Sequence, residues 1–342
     1  MSASAREEIL ISRLDEVFLP AEIFKRVQKK SRYIFERIQK NKKGGNIVKN
    51  TNEKVKVIMD TDIGSDIDDA LCLAYLLSQS RCELLGITTG SSEPHKRAEL
   101  ADSICRYIGR EVPIYPGRDM PLLGQQRQVA VHQYGVVSNL SHKTEFKSNY
   151  AIDFMRETIE SNPHEVIILA VGPLTNVGAL LAAYPHLVGL IKEISIMGGS
   201  YLDSTLARYP IEFNIVNDPT AAKILFDSGV SIRAIGLDVS LATKISCTEF
   251  IDSRKVKIME VVESYAKKFL ERTDDMYFHD AISAAILFAD NICTYRRGYV
   301  SVDMGEEMGK TLFEEDSRGN VYVADNINVN AFFEHYYSVI NN

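Results

Sequence analysis

The sequence lacks most of the features that staple small folds or anchor chains to membranes. Its five cysteines, Cys72, Cys82, Cys105, Cys247 and Cys293, are odd in number and widely spaced, and no CxxC pair occurs. A disulfide scaffold and a zinc ribbon are therefore excluded, and thiols set mostly in apolar runs read as reduced core residues of an intracellular protein. Long hydrophobic runs are missing too. The longest apolar region, Val166 to Tyr184, is broken by Gly172, Pro173, Thr175, Asn176 and Gly178, which rules it out as a membrane span. Glu7, Glu8, Asp15 and Glu16 stand where a signal peptide or mitochondrial presequence would avoid acids, so a cytoplasmic location is expected. Basic charge is in short supply: 39 Lys and Arg face 46 Asp and Glu, a net charge of −7, whereas a dedicated nucleic-acid binder carries a basic footprint. Glycine spacing suited to a phosphate loop is absent as well, and Gly172-Pro173 and Gly198-Gly199 read as tight turns at strand ends.

What is there is an ordinary globular composition, 45% hydrophobic and 25% charged over 342 residues, with the charge unevenly placed. Residues 1–56 hold 14 basic and 7 acidic side chains, and the rest of the chain holds 25 and 39. Within this basic arm, Phe24, Val27, Ile34 and Ile38 recur at roughly helical spacing over 21–40, and NKKGGN at 41–46 reads as a linker. Residues 1–54 are thus expected to form a basic helical N-terminal extension, packed on its own body or on a neighbouring subunit, and residues 55–342 a separate domain.

From Lys56 onward short β-rich runs alternate with amphipathic stretches: VKVIMD (55–60), DDALCLAYLL (68–77), ELLGITT (83–89), KRAELADSICRYI (96–108), VPIYPG (112–117), EVIILAV (165–171), TNVGALLAAY (175–184), KEISIMGG (192–199), PTAAKILFDSG (219–229) and SIRAIGLDVS (231–240). Apolar strands without alternation, each followed by a helix, predict an α/β fold with an open, mostly parallel β-sheet flanked by helices. Ligands of such sheets sit beyond the carboxyl ends of the strands.

The first strand runs into Asp60, Asp62, Asp66, Asp68 and Asp69, five carboxylates within ten residues. Such crowding raises carboxyl pKa values unless a cation neutralises it. With no His or Cys in the run, all-oxygen ligation points to a hard divalent ion. Helix capping and turn formation account for one or two of these residues, not five. An EF-hand is excluded because Leu71 stands where its twelfth-position Glu would be, counting from Asp60. An aspartyl-type Mg²⁺ phosphohydrolase also begins with a strand and Asp-x-Asp, and it would use Asp60 as the phosphorylated nucleophile; against it, Gly64 replaces the usual Thr or Val.

VIMDTDIGSDIDDALCLAYLL closely resembles the signature of the nucleoside hydrolase family, Ca²⁺-dependent ribohydrolases of the inosine-uridine preferring type, in a subgroup with the longer DTDIGxDIDDA motif. LAVGPLTNVGALL (169–181), IMGG (196–199) followed by EFNIVNDPTAA (212–222), and FHDAISAA (278–285) resemble the family's later blocks in order. The resemblance implies a Rossmann-like nucleoside hydrolase fold and hydrolysis of the N-glycosidic bond of a ribonucleoside to free base and ribose, with a Ca²⁺-bound water activated by an Asp. It implies Asp62 as calcium ligand and general base, Asp69 and Asp280 as further carboxylate ligands, and the Val171 carbonyl as a main-chain ligand. Asp68 and Asn214 would hold the ribose 2′- and 3′-hydroxyls, Glu212 would reach toward the 5′ side, Met197 would lie under the sugar, and His279 would be the leaving-group acid. Glu212 and Asn214, two apart, point the same way if extended.

Departures from the family pattern bear on the substrate. Two extra residues precede the Asp68-Asp69 pair, so Asp66 is an alternative to Asp68 at the ribose. GSSEP replaces Gly-Asn, leaving Glu93 or Ser92 near the place of a sugar-contacting Asn, and Leu206 stands where an Asn is often found before Glu212. His132 resembles a second pocket histidine, although Gln133 replaces the usual Gly; a surface-loop His is its other reading. The rival from another class is a non-catalytic sugar-binding or assembly module on the same fold. A small-molecule ribonucleoside as partner, no nucleic acid, and a homodimer or homotetramer complete the expectations.

Overall fold

Unbroken runs of β-branched and aliphatic residues become strands whose alternate side chains enter two different cores. In β1 (Val55–Thr61), Val57 and Met59 pack into one core and Ile58 into the other. The same division holds along β4 (Val166–Ala170), where Leu169 faces the first core and Val166, Ile168 and Ala170 the second. The structure, a computed structural model, describes residues 53–128, 130–202, 209–246, 256–271 and 275–341. The helix expected over 21–40 and Leu206 lie outside the described residues.

Between these strands the chain forms α1 (Asp68–Ser78), β2 (Cys82–Thr89), α2 (Pro94–Tyr107), β3 (Ile114–Pro116) and α3 (Ala151–Ser161). After β4 come α4 (Thr175–Ala183), β5 (Glu193–Met197), α5 (Phe213–Asn217), α6 (Pro219–Asp227), β6 (Ile232–Ile235) and α7 (Leu237–Ser240). A small two-stranded pair, β7 (Ile245–Ser246) and β8 (Asp275–Met276), flanks α8 (Lys257–Leu270) in sequence. The chain then runs through α9 (His279–Ala285), β9 (Cys293–Val302), β10 (Thr311–Glu315), β11 (Val321–Ile327) and α10 (Val329–Ile340).

The main sheet has nine strands in the order β10-β9-β11-β6-β5-β4-β1-β2-β3, parallel from β11 to β3. This is the open, mostly parallel α/β sheet expected, extended by β9 and β10, which run antiparallel at one edge. Strand order reverses between β1 and β4, because the chain first builds outward to β3 and then returns to β1's other side. At such a switch point the flanking loops diverge and leave a crevice at the carboxyl ends. Helix α1 is apolar nearly all round, buried from Asp69 to Leu77, and packs against α8, α9 and α10, as suits an interior helix. No helix among the described residues is long and apolar enough to cross a membrane. Cys72, Cys82, Cys105 and Cys293 are all buried and unpaired.

Candidate active site

The carboxyl ends of β1, β4 and β5, together with the starts of α5, α7 and α9, enclose a cavity of about 350 Å³. Among its lining residues are Asp62, Asp66, Asp68, Asp69, Val171, Met197, Glu212, Asn214, His279 and Asp280, and among the described residues no Lys or Arg lines it. At its floor the carboxylates of Asp68, Asp69 and Asp280 each place an oxygen within 4.8 Å of the others. Asp68 and Asp69 open α1, and Asp280 lies in the first turn of α9, so two packed helices aim their positive N-terminal ends at the cluster. Burial first, and the neighbouring carboxylates second, push all three carboxyls well above the ordinary range.

Asp62 borders this cluster. Its carboxyl is raised by burial and by Asp66, and held back by the Arg97 charge and by a hydrogen bond from Gln128. The close approach of β4's end to Asp62 requires glycine. A Cβ on Gly172 would stand 2.8 Å from both the amide nitrogen and Oδ1 of Asp62. Asp60 lies outside the cavity lining, 1% exposed, where it accepts hydrogen bonds from Thr88 Oγ1 at 2.5 Å and Asn176 Nδ2 at 2.8 Å. Its carboxyl is raised to about 7 by burial. A phosphohydrolase nucleophile would have to face the cavity, and Asp60 does not.

Glu212 and Asn214 reach one cavity by a different route from the extended one expected. Glu212 is an extended N-cap of α5: its Oε1 accepts from Asn214 N at 2.8 Å, and its Oε2 from Gly199 N at 3.0 Å and Ile215 N at 3.1 Å. Burial raises this carboxyl to about 7. Asn214 lies inside the helix, with Nδ2 donating to the Val171 carbonyl at 3.0 Å and to the Met197 carbonyl at 3.1 Å, so one amide ties the ends of β4 and β5 together. His279 Nδ1 is 2.8 Å from Ser240 Oγ, and its ring stacks on Tyr277 with centroids 4.9 Å apart. Burial pushes the imidazole pKa down to about 4, so at neutral pH the ring is uncharged and offers one N–H.

Two sequence candidates stand elsewhere. His132 is exposed and does not line the cavity; its neighbour Gln133 is buried instead and donates Nε2 to the Asp66 carbonyl at 2.8 Å. Glu93 caps α2 in a left-handed conformation, φ 55°, and pairs with Lys96 away from the cavity. Residues unforeseen from the sequence also line the site: Ser65 and Gln128 beside Asp62, and an apolar side of Tyr209, Ile211, Phe213, Val216 and Leu237. Fully buried Arg97 supports the acidic loop from behind. Arg97 shares its helix with Lys96, Glu99, Asp102 and Arg106, so one more charge there gives no sequence signal, and Gln128 sits in a loop with no periodicity and gives none.

The family described as inosine-uridine preferring nucleoside hydrolase matches residues 57–334. Uridine nucleosidase 1 of Arabidopsis thaliana is 30% identical over 279 residues, 76% of this chain and 82% of that protein. The pyrimidine-specific ribonucleoside hydrolase RihB of Escherichia coli is 28% identical over 284 residues, 77% and 88% of the two chains. Among solved structures, a purine-preferring ribonucleoside hydrolase from Gardnerella vaginalis superposes with a TM-score of 0.72 at 24% identity, covering 83% of this chain and 98% of that one. At that identity the likeness speaks for the fold.

Proposed function

Because this chain belongs to the family of inosine-uridine preferring nucleoside hydrolases, it is a hydrolase that cleaves the N-glycosidic bond of ribonucleosides, and we propose that it does so around one calcium ion with Asp62 as general base. The observation that carries the metal reading is the convergence of the Asp68, Asp69 and Asp280 carboxylates in a cavity that, among the described residues, has no Lys or Arg in its lining. A buried cluster of this kind fits a hard cation, which removes the repulsion that otherwise raises these carboxyls. Asp69 and Asp280 would hold it, with Asp62 and the Val171 carbonyl at its border. Asp68, first expected on the ribose, is close enough to its neighbours to share both tasks. When bound, the ion supplies a Lewis acid that lowers the pKa of water and grips a vicinal diol.

The side chains supply the rest. Asp62 accepts a proton from the attacking water, while Asp68, or Asp66 at the rim, and Asn214 orient the ribose hydroxyls. Met197 lies under the sugar, and Glu212, held rigid by three amides, faces its 5′ side. As the bond to the base breaks, positive charge develops at the anomeric carbon, and a carboxylate-lined cavity favours it where a basic one would oppose it. If Ser240 donates to Nδ1 of His279, the opposite nitrogen carries the proton and can hydrogen-bond the departing base.

Uridine is the first substrate to try, since relatives are named for uridine and pyrimidine ribosides. Purified protein is given uridine, inosine and 2′-deoxyuridine, with and without a chelator. Reducing sugar is expected from ribosides alone, lost with the chelator and restored by Ca²⁺ at lower concentration than by Mg²⁺ or Zn²⁺. Full turnover in chelator would sink the metal reading, and equal cleavage of the deoxyriboside would sink the role given to the diol. We further assign residues 55–342 as the catalytic domain and 1–54 as an appended basic extension. Buried, unpaired thiols support a reducing compartment such as the cytoplasm. A homodimer or homotetramer rests on the family resemblance.

A further inference from the structure

Two hydroxyls tie α7 and the turn after it to the start of α9, and they use their protons differently. Thr243, fully buried, donates Oγ1 to the Ser240 carbonyl at 2.7 Å and accepts from Phe278 N at 3.3 Å. Both its bonds go to main chain, and they hold the backbone just before His279. Ser240, also fully buried, reaches the imidazole instead, with Oγ 2.8 Å from His279 Nδ1. Helix α7 is anchored in turn on the loop after β5. Leu237 N donates to the Gly199 carbonyl at 2.9 Å, and the Asp238 carboxylate accepts from Tyr201 N at 2.8 Å and Leu202 N at 3.0 Å. The His279 ring lies nearly parallel to that of Tyr277, 10° apart with centroids at 4.9 Å, which restricts its tilt.

The direction of the Ser240 bond follows from what else its hydroxyl can reach. A serine hydroxyl has one proton to give, and among the described residues Nδ1 is the sole hydrogen-bond partner of Ser240 Oγ. Were Nδ1 the donor, the hydroxyl proton would be left without an acceptor in a fully buried place, and an unmade buried donor is more costly than such a bond is stabilising. Nδ1 therefore accepts. In a neutral imidazole only one nitrogen carries a proton, so acceptance at Nδ1 places it on Nε2. No described residue hydrogen-bonds Nε2, and His279 lines the cavity, so this N–H is left for a ligand. The departing base gains electron density as the glycosidic bond breaks, which makes it an acceptor for that N–H. A ring protonated on Nδ1 would offer a lone pair there and repel the same density.

We propose that Ser240 is a positioning residue that fixes His279 in the Nε2-protonated tautomer, so that the imidazole meets the departing base as a hydrogen-bond donor. This rests on reading His279 as the residue that faces the base. The test uses the full chain with calcium present and ¹⁵N in its histidines, and it replaces Ser240 by alanine, which removes the hydroxyl and adds no bulk. Long-range proton–nitrogen spectra separate the two tautomers, and the His279 signals are those missing from His279→Ala. The wild type is expected to be protonated on Nε2, and Ser240→Ala to gain a population protonated on Nδ1. On uridine, kcat of Ser240→Ala should fall about fivefold to tenfold, the worth of one neutral hydrogen bond. On nitrophenyl riboside, whose leaving group needs no donor, the change should stay within about twofold. In a His279→Ala background, Ser240→Ala should cost nothing further on uridine. The proposal is overturned by a wild type protonated on Nδ1, by a tautomer that Ser240→Ala does not alter, by equal losses on the two substrates, or by an undiminished loss in the His279→Ala background. A fully active His279→Ala would instead overturn the reading beneath, an outcome seen in the kinetics of that single variant and not in the nitrogen spectra.

Discussion

Two stretches of this chain crowd carboxylates, and they behave in opposite ways. After β1, Asp60, Asp62, Asp68 and Asp69 lie buried or half-buried, and burial raises each of their carboxyls above the ordinary range. On α3, Asp153, Glu157 and Glu160 ring Arg156 in water, with Nη1 to Glu160 at 2.8 Å, Nη2 to Glu157 at 3.0 Å and His186 on Glu160 at 3.0 Å. There the His186 hydrogen bond, joined by Arg156, holds the Glu160 carboxyl below its usual value. The number of acids is not what marks a site. What marks it is that the acids are withdrawn from water and, among the described residues, meet no Lys or Arg in the cavity lining, which leaves a negative field that a cation can fill.

The strongest way to break this comparison is to remove the buried members. Asp62→Ala should reduce turnover by about 10²- to 10⁴-fold, the range for losing a general base, while calcium binding weakens far less. Asp69→Ala should lose the ion itself, seen by calorimetry as a midpoint moved beyond the roughly 10- to 100-fold shift that an indirect partner of a metal causes. Full activity in either variant would undo the roles assigned. A subtler disturbance is Gly172→Ala, whose Cβ would stand 2.8 Å from Asp62 N and Oδ1. A shift in Asp62 should follow, costing about 100-fold in kcat for about 1–3 kcal/mol of overpacking, measurable by denaturant titration. Unchanged kcat would show that the strand end can yield without moving Asp62.

A third effect is smaller and concerns stability. Asp60 and Glu212 rise from ordinary values near 4 to about 7 in the folded chain, so their contribution to stability is fully present below pH 4 and lost as pH climbs through 7. The carboxyls of Asp68, Asp69 and Asp280 move in the same direction. With chelator present, thermal stability should therefore decline between pH 5 and pH 8. Calcium at about 100 times its dissociation constant should add about 2.7 kcal/mol. Since protons compete for the same oxygens, a fixed calcium concentration should raise the melting temperature more at pH 8 than at pH 5. An equal rise at both would mean that the ion does not meet the raised carboxylates.

The legible and illegible parts of the molecule differ for physical reasons. β1 and its acidic end could be read directly, because apolar residues without alternation and crowded Asp residues each permit few arrangements. The antiparallel edge is less legible: CTYRRGYVSV in β9 alternates buried Val300 and Val302 with solvent-facing Tyr299 and Ser301, a weaker signal than a doubly buried strand. The i, i+2 spacing of Glu212 and Asn214 suits an extended segment, yet the Glu212 carboxylate captures the amides of Asn214 and Ile215 and starts a helix there. The helix start at Asp68 is legible in the 68–77 stretch, but the meeting of Asp68 and Asp69 with Asp280 depends on the packing of α1 on α9, which local spacing does not reveal. Glu93 and His132 resembled pocket residues by their neighbours in sequence. The structure leaves both out of the cavity lining and brings Gln128 there, tied by long-range hydrogen bonds to Ser91 and Ser65.

The smallest effect belongs to the exposed cluster, and it tests the comparison from the other side. Arg156→Met removes the hub of three carboxylates but keeps an unbranched apolar stem beside the Tyr184 ring, over which the guanidinium sits at 5.3 Å. Ion pairs in water gain little because the carboxylates are nearly as well solvated alone. Turnover and calcium affinity should be unchanged, and any fall in melting temperature should shrink as salt is raised to 1 M, where screening acts within about 3 Å. A fall that persists at high salt would assign Arg156 a packing role on Tyr184 instead of a charge role. A fall in turnover would be more damaging, because it would mean that carboxylates on α3 communicate with the cavity and that exposure does not separate the two acidic stretches.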